Sequence, residues 1–156
     1  MRNRKVTEKT LMNDFELLGK HISAVDKAID GWIEKFGLNY SVFFVLYILA
    51  QNEHRICNQK FIADECEIPK QSVFNACRDL CKQGLITFYE SPNDKRERII
   101  KLTDEGRKTA SFILSETEKI SDRTFRKFGK NKTDKLFELL AEFSVLYADE
   151  VRNHKL

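Results

Sequence analysis

The chain has little that breaks regular structure and little that does chemistry. Two prolines and six glycines are spread through 156 residues, so long uninterrupted elements are expected, with few forced turns. The three histidines, His21, His54 and His154, fall in different candidate elements. No glycine-rich phosphate loop, nucleophile elbow or HExxH pattern accompanies them, and the Ser, Cys and Asp residues read as caps, core and surface. No enzyme, cofactor or metal centre is expected. The longest apolar run, Val42 to Ala50, is far shorter than the roughly 20 residues of a spanning helix. The basic start MRNRKVTEKT lacks the apolar stretch that follows it in a secretory signal. The expectation is a cytoplasmic chain without a membrane anchor.

What is present is a 33% charged, 42% hydrophobic composition, that of a globular chain long enough for a real core. The net charge of +3 is modest, but it is concentrated. Between Ile68 and Lys101, seven Lys/Arg (70, 78, 82, 95, 96, 98, 101) face four Asp/Glu (79, 90, 94, 97), which equals the excess of the whole chain.

That stretch is also the most patterned. Val73, Ala76, Cys77 and Leu80 repeat at the spacing of one buried helical stripe. The opposite face carries Lys70, Gln71, Ser72, Phe74, Asn75 and Arg78, side chains able to hydrogen-bond base edges or cover a thymine methyl. Pro69 suits a first helical turn. Gly84 stands where a left-handed cap is wanted, which ends the helix at Gln83. A shorter helix from Gln59 to Glu65 would bury Ile62, Ala63 and Cys66, with a break at Glu67-Ile68. Downstream, Leu85 to Tyr89 and Ile99 to Leu102 read as strands flanking a basic tip, Ser91 to Arg96. Two short helices, a tight turn and a basic hairpin make a winged helix-turn-helix.

Long helices are expected on both sides. Leu11, Phe15, Leu18, Ile22, Val25, Ile29, Trp32 and Phe36 recur at steps of four and three along a helix on the order of 39 Å long at 1.5 Å per residue. Gly37 to Ser41 breaks it, Ser41 is a candidate N-cap, and Val42 to Ala50 is apolar all round, as in a buried helix. Thr103 can cap a second long helix lined by Ala110, Ile113, Leu114, Thr117, Ile120, Thr124 and Phe128. Gly129 to Lys132 interrupts it, and a last helix from about Thr133 presents Leu136, Leu139, Leu140, Phe143, Leu146 and Tyr147. The fold class is thus mainly α with a small β-hairpin wing. One unit, 1–156, comprises a winged helix-turn-helix at 41–102 and a helical dimerisation region at 8–36 and 103–152.

The segment resembles the MarR family of bacterial transcriptional regulators. The matching residues run in register from Gln59, Lys60, Ile62, Ala63 and Ile68 through Ser72, Val73, Leu80, Gly84, Leu85 and Ile86. They continue to Asp94-Lys95-Arg96, the family's Asp-x-Arg, and to Leu102-Thr103-Asp104-Glu105-Gly106, its Leu-Thr-x-x-Gly. Departures are Asn58, where the family usually has Thr, and Phe74 and Asn75, where it often has Ser and Arg.

The resemblance implies a two-fold dimer on double-stranded DNA, a pseudo-palindromic operator, and repression. On this reading Gln71, Ser72 and Asn75 are assigned to base edges, Phe74 to a thymine methyl, and Lys70 and Arg78 to phosphates. Arg96 resembles the arginine that enters the minor groove. Asp94 would orient it, and Lys95 and Arg98 would add salt-sensitive backbone attraction. The resemblance also implies a small aromatic or phenolic effector, for which Trp32, Tyr40, Phe44, Tyr47 and His21 are candidate contacts.

Two alternatives stand beside this reading. A winged helix can serve protein–protein contact, although the hydrogen-bonding helix face and the Asp-x-Arg wing suit a DNA groove better. A thiol-based redox-sensing regulator is the other. Cys66 and Cys77 fall at positions patterned as buried, Cys81 one turn on beside the same core, and Cys57 at the start of the first short helix. None lies in the first long helix, where the family's peroxide sensors carry their reactive thiol. A metal site from His54, Cys57 and Cys66 would lack a fourth ligand.

Overall fold

The computed structural model describes residues 8–91 and 97–155, without the side chains of residues 8–12. It forms two compact units, divided between Ile113 and Leu114.

The first unit opens with α1 (Glu8–Glu34). Much of its apolar seam is solvent-exposed: Phe15, Ile22 and Val25 are each more than half accessible, and among its described side chains only Ile33, near its end, is fully buried. The three-residue turns that follow, Lys35 to Trp32 and Phe36 to Ile33, leave Phe36 beyond the helix. α2 (Tyr40–Gln51) starts two residues earlier than expected, because the cap is Asn39 rather than Ser41. The Asn39 Oδ1 accepts from the Val42 N–H at 3.0 Å, and an asparagine is at least as good a cap as a serine. α2 is apolar on all sides and buries Val42, Phe43, Val45, Leu46, Ile48 and Leu49.

The chain then adds a two-residue strand, β1 (Cys57–Asn58), that the sequence did not suggest. Cys57 therefore lies in a strand and is buried, rather than opening a helix. Two residues carry no period-2 signal, and β1 exists because β3 offers a free edge to pair with. α3 (Gln59–Cys66) is capped by Asn58 and ends at Glu67, whose φ of 52° places a non-glycine residue in the left-handed region. The Ile68 N–H closes that end on the Ala63 carbonyl at 3.1 Å, a closure that satisfies a carbonyl left open by the helix. Cys66 is half-buried rather than in the core.

α4 (Lys70–Lys82) follows Pro69 and ends with Gln83. Gly84 takes a φ of +71°, and the Leu85 N–H reaches back to the Leu80 carbonyl at 3.0 Å. β2 (Ile86–Glu90) and β3 (Arg98–Leu102) form an antiparallel hairpin with Phe88 opposite Ile100 and Glu90 opposite Arg98. The sheet order is β1-β3-β2. Ile62, Val73, Cys77, Leu80, Ile86 and Ile100 from four of these elements share one core with α2 and with Ala110 and Ile113 of α5.

α5 (Asp104–Phe128) starts against this body. Thr103 donates its hydroxyl to the Gly84 carbonyl at 2.7 Å and accepts the Gly106 N–H at 3.0 Å. In the second unit, only Gly129, at φ +95°, separates α5 from α6 (Lys130–Asn153), so the interruption is one residue rather than four. Phe125 and Phe137 meet across that turn with ring centroids 5.7 Å apart. Among the described residues of α6 none is buried, and Leu136, Leu139, Leu140, Phe143, Leu146 and Tyr147 are all exposed. Among the described residues, no helix is long and apolar enough to cross a membrane.

Candidate nucleic-acid interface

α4 is divided lengthwise by its own periodicity. Val73, Ala76, Cys77 and Leu80 are buried, which fixes the helix in the body and leaves the other face to solvent. On that face Lys70, Gln71, Phe74 and Arg78 are exposed, while Ser72 and Asn75 are half-buried at its margin. The six side chains singled out on this helix therefore form one continuous surface.

The surface is partly pre-ordered. Gln71 donates its Nε2 to the Asn75 Oδ1 at 3.3 Å, one turn apart, so two amide groups that can pair bidentately with a base are held together. Arg78 lies 3.6 Å from the adjacent Asp79 carboxylate, with both side chains about half exposed. Such a pair contributes little and yields readily to a phosphate. Phe74 is 47% exposed, an apolar ring kept in water. It lines a hollow of about 370 Å³ with Gln59, Arg78, Cys81, Lys82 and Phe88. Gln59, Lys82 and Cys81 were not singled out by their helical spacing as part of this surface; the hairpin brings Phe88 against them.

On the hairpin, Arg98 is exposed at the start of β3. Asp94, Lys95 and Arg96 lie outside the described residues. The root of the hairpin is tied at two points. The Ser91 N–H donates to the Glu97 carbonyl at 3.0 Å, and Asn58, the α3 cap, donates its Nδ2 to the Glu97 carboxylate. A second long-range pair, Arg107 with Glu53 at 2.6 Å, joins the first turn of α5 to the segment after α2.

Trp32, Tyr40, Phe44 and Tyr47 belong to one chain of ring contacts through Phe36 and Phe43, with centroids 4.5–6.3 Å apart. His21 lies exposed on α1, eleven residues before Trp32. Tyr40 lines a hollow of about 340 Å³ with Asp26, Ile29 and Asp30. Its phenol is pushed above its ordinary value, by desolvation first and then by the fields of Cys66, Asp26 and Asp30.

Burial favours the protonated thiol at Cys57, Cys66 and Cys77. Burial pushes Cys77 up to about 12 and Cys66 up to about 11, with smaller contributions from Cys81 and Glu65 respectively. Burial also raises Cys57, opposed by the Arg55 guanidinium. Of the four, only Cys81 is exposed.

Residues 36–97 match the sequence model of the MarR family. The fold matches NMB1585, a MarR family regulator from Neisseria meningitidis, with a TM-score of 0.78 and 33% identity over 91% of this chain and 99% of that one. The S. aureus MepR–DNA complex matches with a TM-score of 0.69 at 21% identity, covering 85% of this chain and 97% of that one. The HTH-type transcriptional regulator Hpr of Shouchella clausii is 29% identical over 83% of this chain and 65% of its own length. The chain spans about three fifths of the length of the first curated relatives it matches. With a relative one-third identical along nearly its whole length and the winged helix-turn-helix in place, the chain belongs to the MarR family of transcriptional regulators.

Proposed function

We propose that the protein is a sequence-specific DNA-binding repressor that acts as a homodimer on an inverted-repeat operator. The observation that carries this reading is the two-sided α4, with one face locked in the core and the other presenting Lys70, Gln71, Phe74 and Arg78 to solvent with Asn75 at its margin. A helix of that kind fits a major groove about 12 Å wide, where paired amides read adenine and an aromatic ring covers a thymine methyl. Lys70, Arg78 and Arg98 supply phosphate contacts that set the register. The MepR–DNA complex has the same fold, which supports DNA as the partner. Asp94, Lys95 and Arg96, outside the described residues, are assigned to the neighbouring minor groove on the family resemblance alone.

Dimerisation, assigned to 8–36 and 103–152, draws support from the exposed apolar rows of α1 and α6. Phe15, Ile22 and Val25 on one, and Leu139, Leu140, Phe143 and Leu146 on the other, are 44–64% exposed. Contiguous apolar surface of that kind marks an interaction site. Two copies would place their reading helices about 34–36 Å apart, one DNA turn.

A small aromatic effector is favoured by the ring chain from Trp32 to Tyr47 and by the hollow at Tyr40. The carboxylates of Asp26 and Asp30 at that hollow oppose an anionic head, so the ligand that fits it is neutral or cationic rather than a phenolic acid.

Fluorescence anisotropy tests the main reading, with a labelled duplex from upstream of the protein's own gene, a scrambled duplex, and two salt concentrations. Preferential, salt-sensitive binding that saturates at two chains per site is the expected result. Absence of binding to any duplex at low salt would transfer the exposed α4 face to a protein partner.

A further inference from the structure

From the side chain that caps α3, we infer that Asn58 and Glu97 form a clamp that positions the hairpin against the reading helix, so that both are positioning residues for DNA recognition. This rests on the DNA-binding reading above. Asn58 uses both ends of its amide. The Oδ1 accepts the Phe61 N–H at 2.7 Å and so caps α3, while the Nδ2 donates to a Glu97 carboxylate oxygen, 39 residues away in sequence. The Glu97 main-chain carbonyl holds the Ser91 N–H. One residue thus closes the hairpin loop through its backbone and fastens that loop to α3 through its side chain.

The clamp acts where the sheet is thin. β1 meets β3 through only two residue pairs, Cys57 with Ile100 and Asn58 with Ile99, and on the other edge the β2–β3 pairing ends at Glu90 and Arg98. Beyond Ile99, the tie from α3 to the hairpin passes to the Asn58–Glu97 bond. α3 packs on α4, with Ile62 and Val73 in the shared core, so the clamp sets the hairpin root in a fixed relation to the base-reading face.

It also explains a carboxylate between two arginines, at 96 and 98. Free in solution, the Glu97 carboxylate would repel DNA phosphates and compete for those guanidinium groups. Bonded to Asn58, it is turned toward α3, and Arg98 remains exposed. A threonine in place of Asn58 would still cap the helix. Its single hydroxyl oxygen cannot fill both positions that the amide oxygen and nitrogen occupy.

The test compares Glu97→Ala, Glu97→Gln and Asn58→Thr in the full chain. Both Glu97 variants remove the charge, and only glutamine keeps an acceptor for Asn58, so the difference between them isolates the bond. Without DNA, amide hydrogen exchange at Ser91 should quicken in Glu97→Ala and Asn58→Thr but not in Glu97→Gln. Phe61 should stay protected in Asn58→Thr, because the cap survives. On the operator, Glu97→Gln should bind at least as tightly as the unaltered chain. Glu97→Ala and Asn58→Thr should bind roughly three- to tenfold more weakly than Glu97→Gln, the effect of one hydrogen bond, and with a salt slope lower by about one phosphate contact. Equal Ser91 exchange in Glu97→Ala and Glu97→Gln would overturn the clamp whatever happens on DNA. Altered exchange with equal operator affinity and salt slope would overturn its positioning role, and failure of the unaltered chain to bind any duplex would instead refute the DNA reading.

Discussion

Gly106 gives the sharpest quantitative prediction, because the expected sign is opposite to the usual one. In an exposed helix, glycine to alanine stabilises by about 1 kcal/mol through backbone entropy. At Gly106 a Cβ would lie 1.8 Å from the Leu85 carbonyl oxygen and 2.7 Å from its carbon. Those atoms are main chain and cannot rotate away, so the first turn of α5 must withdraw. Overpacking costs about 1–3 kcal/mol, and a backbone overlap belongs at the top of that range. Withdrawal also loosens the Thr103 N–H to Leu85 carbonyl bond at 3.0 Å and the Thr103 hydroxyl to Gly84 carbonyl bond at 2.7 Å. Each contributes about 0.5–1.5 kcal/mol. After subtracting the propensity gain, Gly106→Ala should lose roughly 3–5 kcal/mol in urea unfolding followed by circular dichroism at fixed protein concentration. Gly31→Ala, where a Cβ meets nothing within 4 Å, is the control and should be neutral or stabilising. A Gly106→Ala chain as stable as the parent would refute the claim that close approach of two backbones fixes this glycine.

Three further outcomes are expected. Asn75→Ala should relax base preference at one position per half-site by about 1–3 kcal/mol, read from anisotropy with a set of single-base operator variants; a uniform loss on all sequences would remove Asn75 from base reading. The raised thiol values set a direction for alkaline stability. Folded Cys77 keeps its proton up to about 12, whereas the unfolded thiol releases it near 9.0, so the contribution is complete below that value and is lost as pH rises between the two. Cys77→Ala should flatten the alkaline decline in stability, and in the native chain at pH 8 iodoacetamide should label Cys81 while Cys77 and Cys57 react only after denaturation.

Much of this was legible in the sequence wherever a period or a backbone constraint was at work. The Val73-Ala76-Cys77-Leu80 stripe showed which face of α4 is buried, and Gly84 showed where that helix ends, because each follows from local geometry. The Leu-Thr-x-x-Gly pattern marked the start of α5, although its cause, the Leu85 backbone packed against Gly106, appears only in three dimensions. What could not be read depends on partners distant in sequence. β1 is too short for any periodic signal and forms because β3 has an open edge. Glu97 counted only as one of four acidic residues in a basic stretch until Asn58 was placed beside it. Asn39 displaced Ser41 as the cap of α2 because both are good caps and the turn geometry decides. Cys66 was assigned to the core on spacing alone, but the left-handed Glu67 ends α3 at that residue and leaves it half-buried. The candidate effector contacts were chosen by residue type; Trp32, Tyr40, Phe44 and Tyr47 are linked through Phe36 and Phe43, and His21 lies exposed on α1, eleven residues before Trp32.

The division of α4 into two faces has a consequence for how such a protein changes its target. Leu80, Val73 and Cys77 are essentially inaccessible and determine where the helix axis lies, so altering them moves every contact together at a cost of about 2–5 kcal/mol for a large-to-small change. Gln71, Phe74 and Asn75 project from the same axis into solvent or its margin, where substitutions commonly change stability by less than about 0.5 kcal/mol. Base preference can therefore drift on one face while the fold is held by the other. That separation would let a chain hold its core stripe, Gly84, Gly106 and its hairpin while Phe74 and Asn75, the residues proposed to read bases, vary on the other face. The α4 stripe shares its core with Ile86 and Ile100 at the base of the hairpin, and the contact of Asn58 with Glu97 ties the hairpin root to α3 as well.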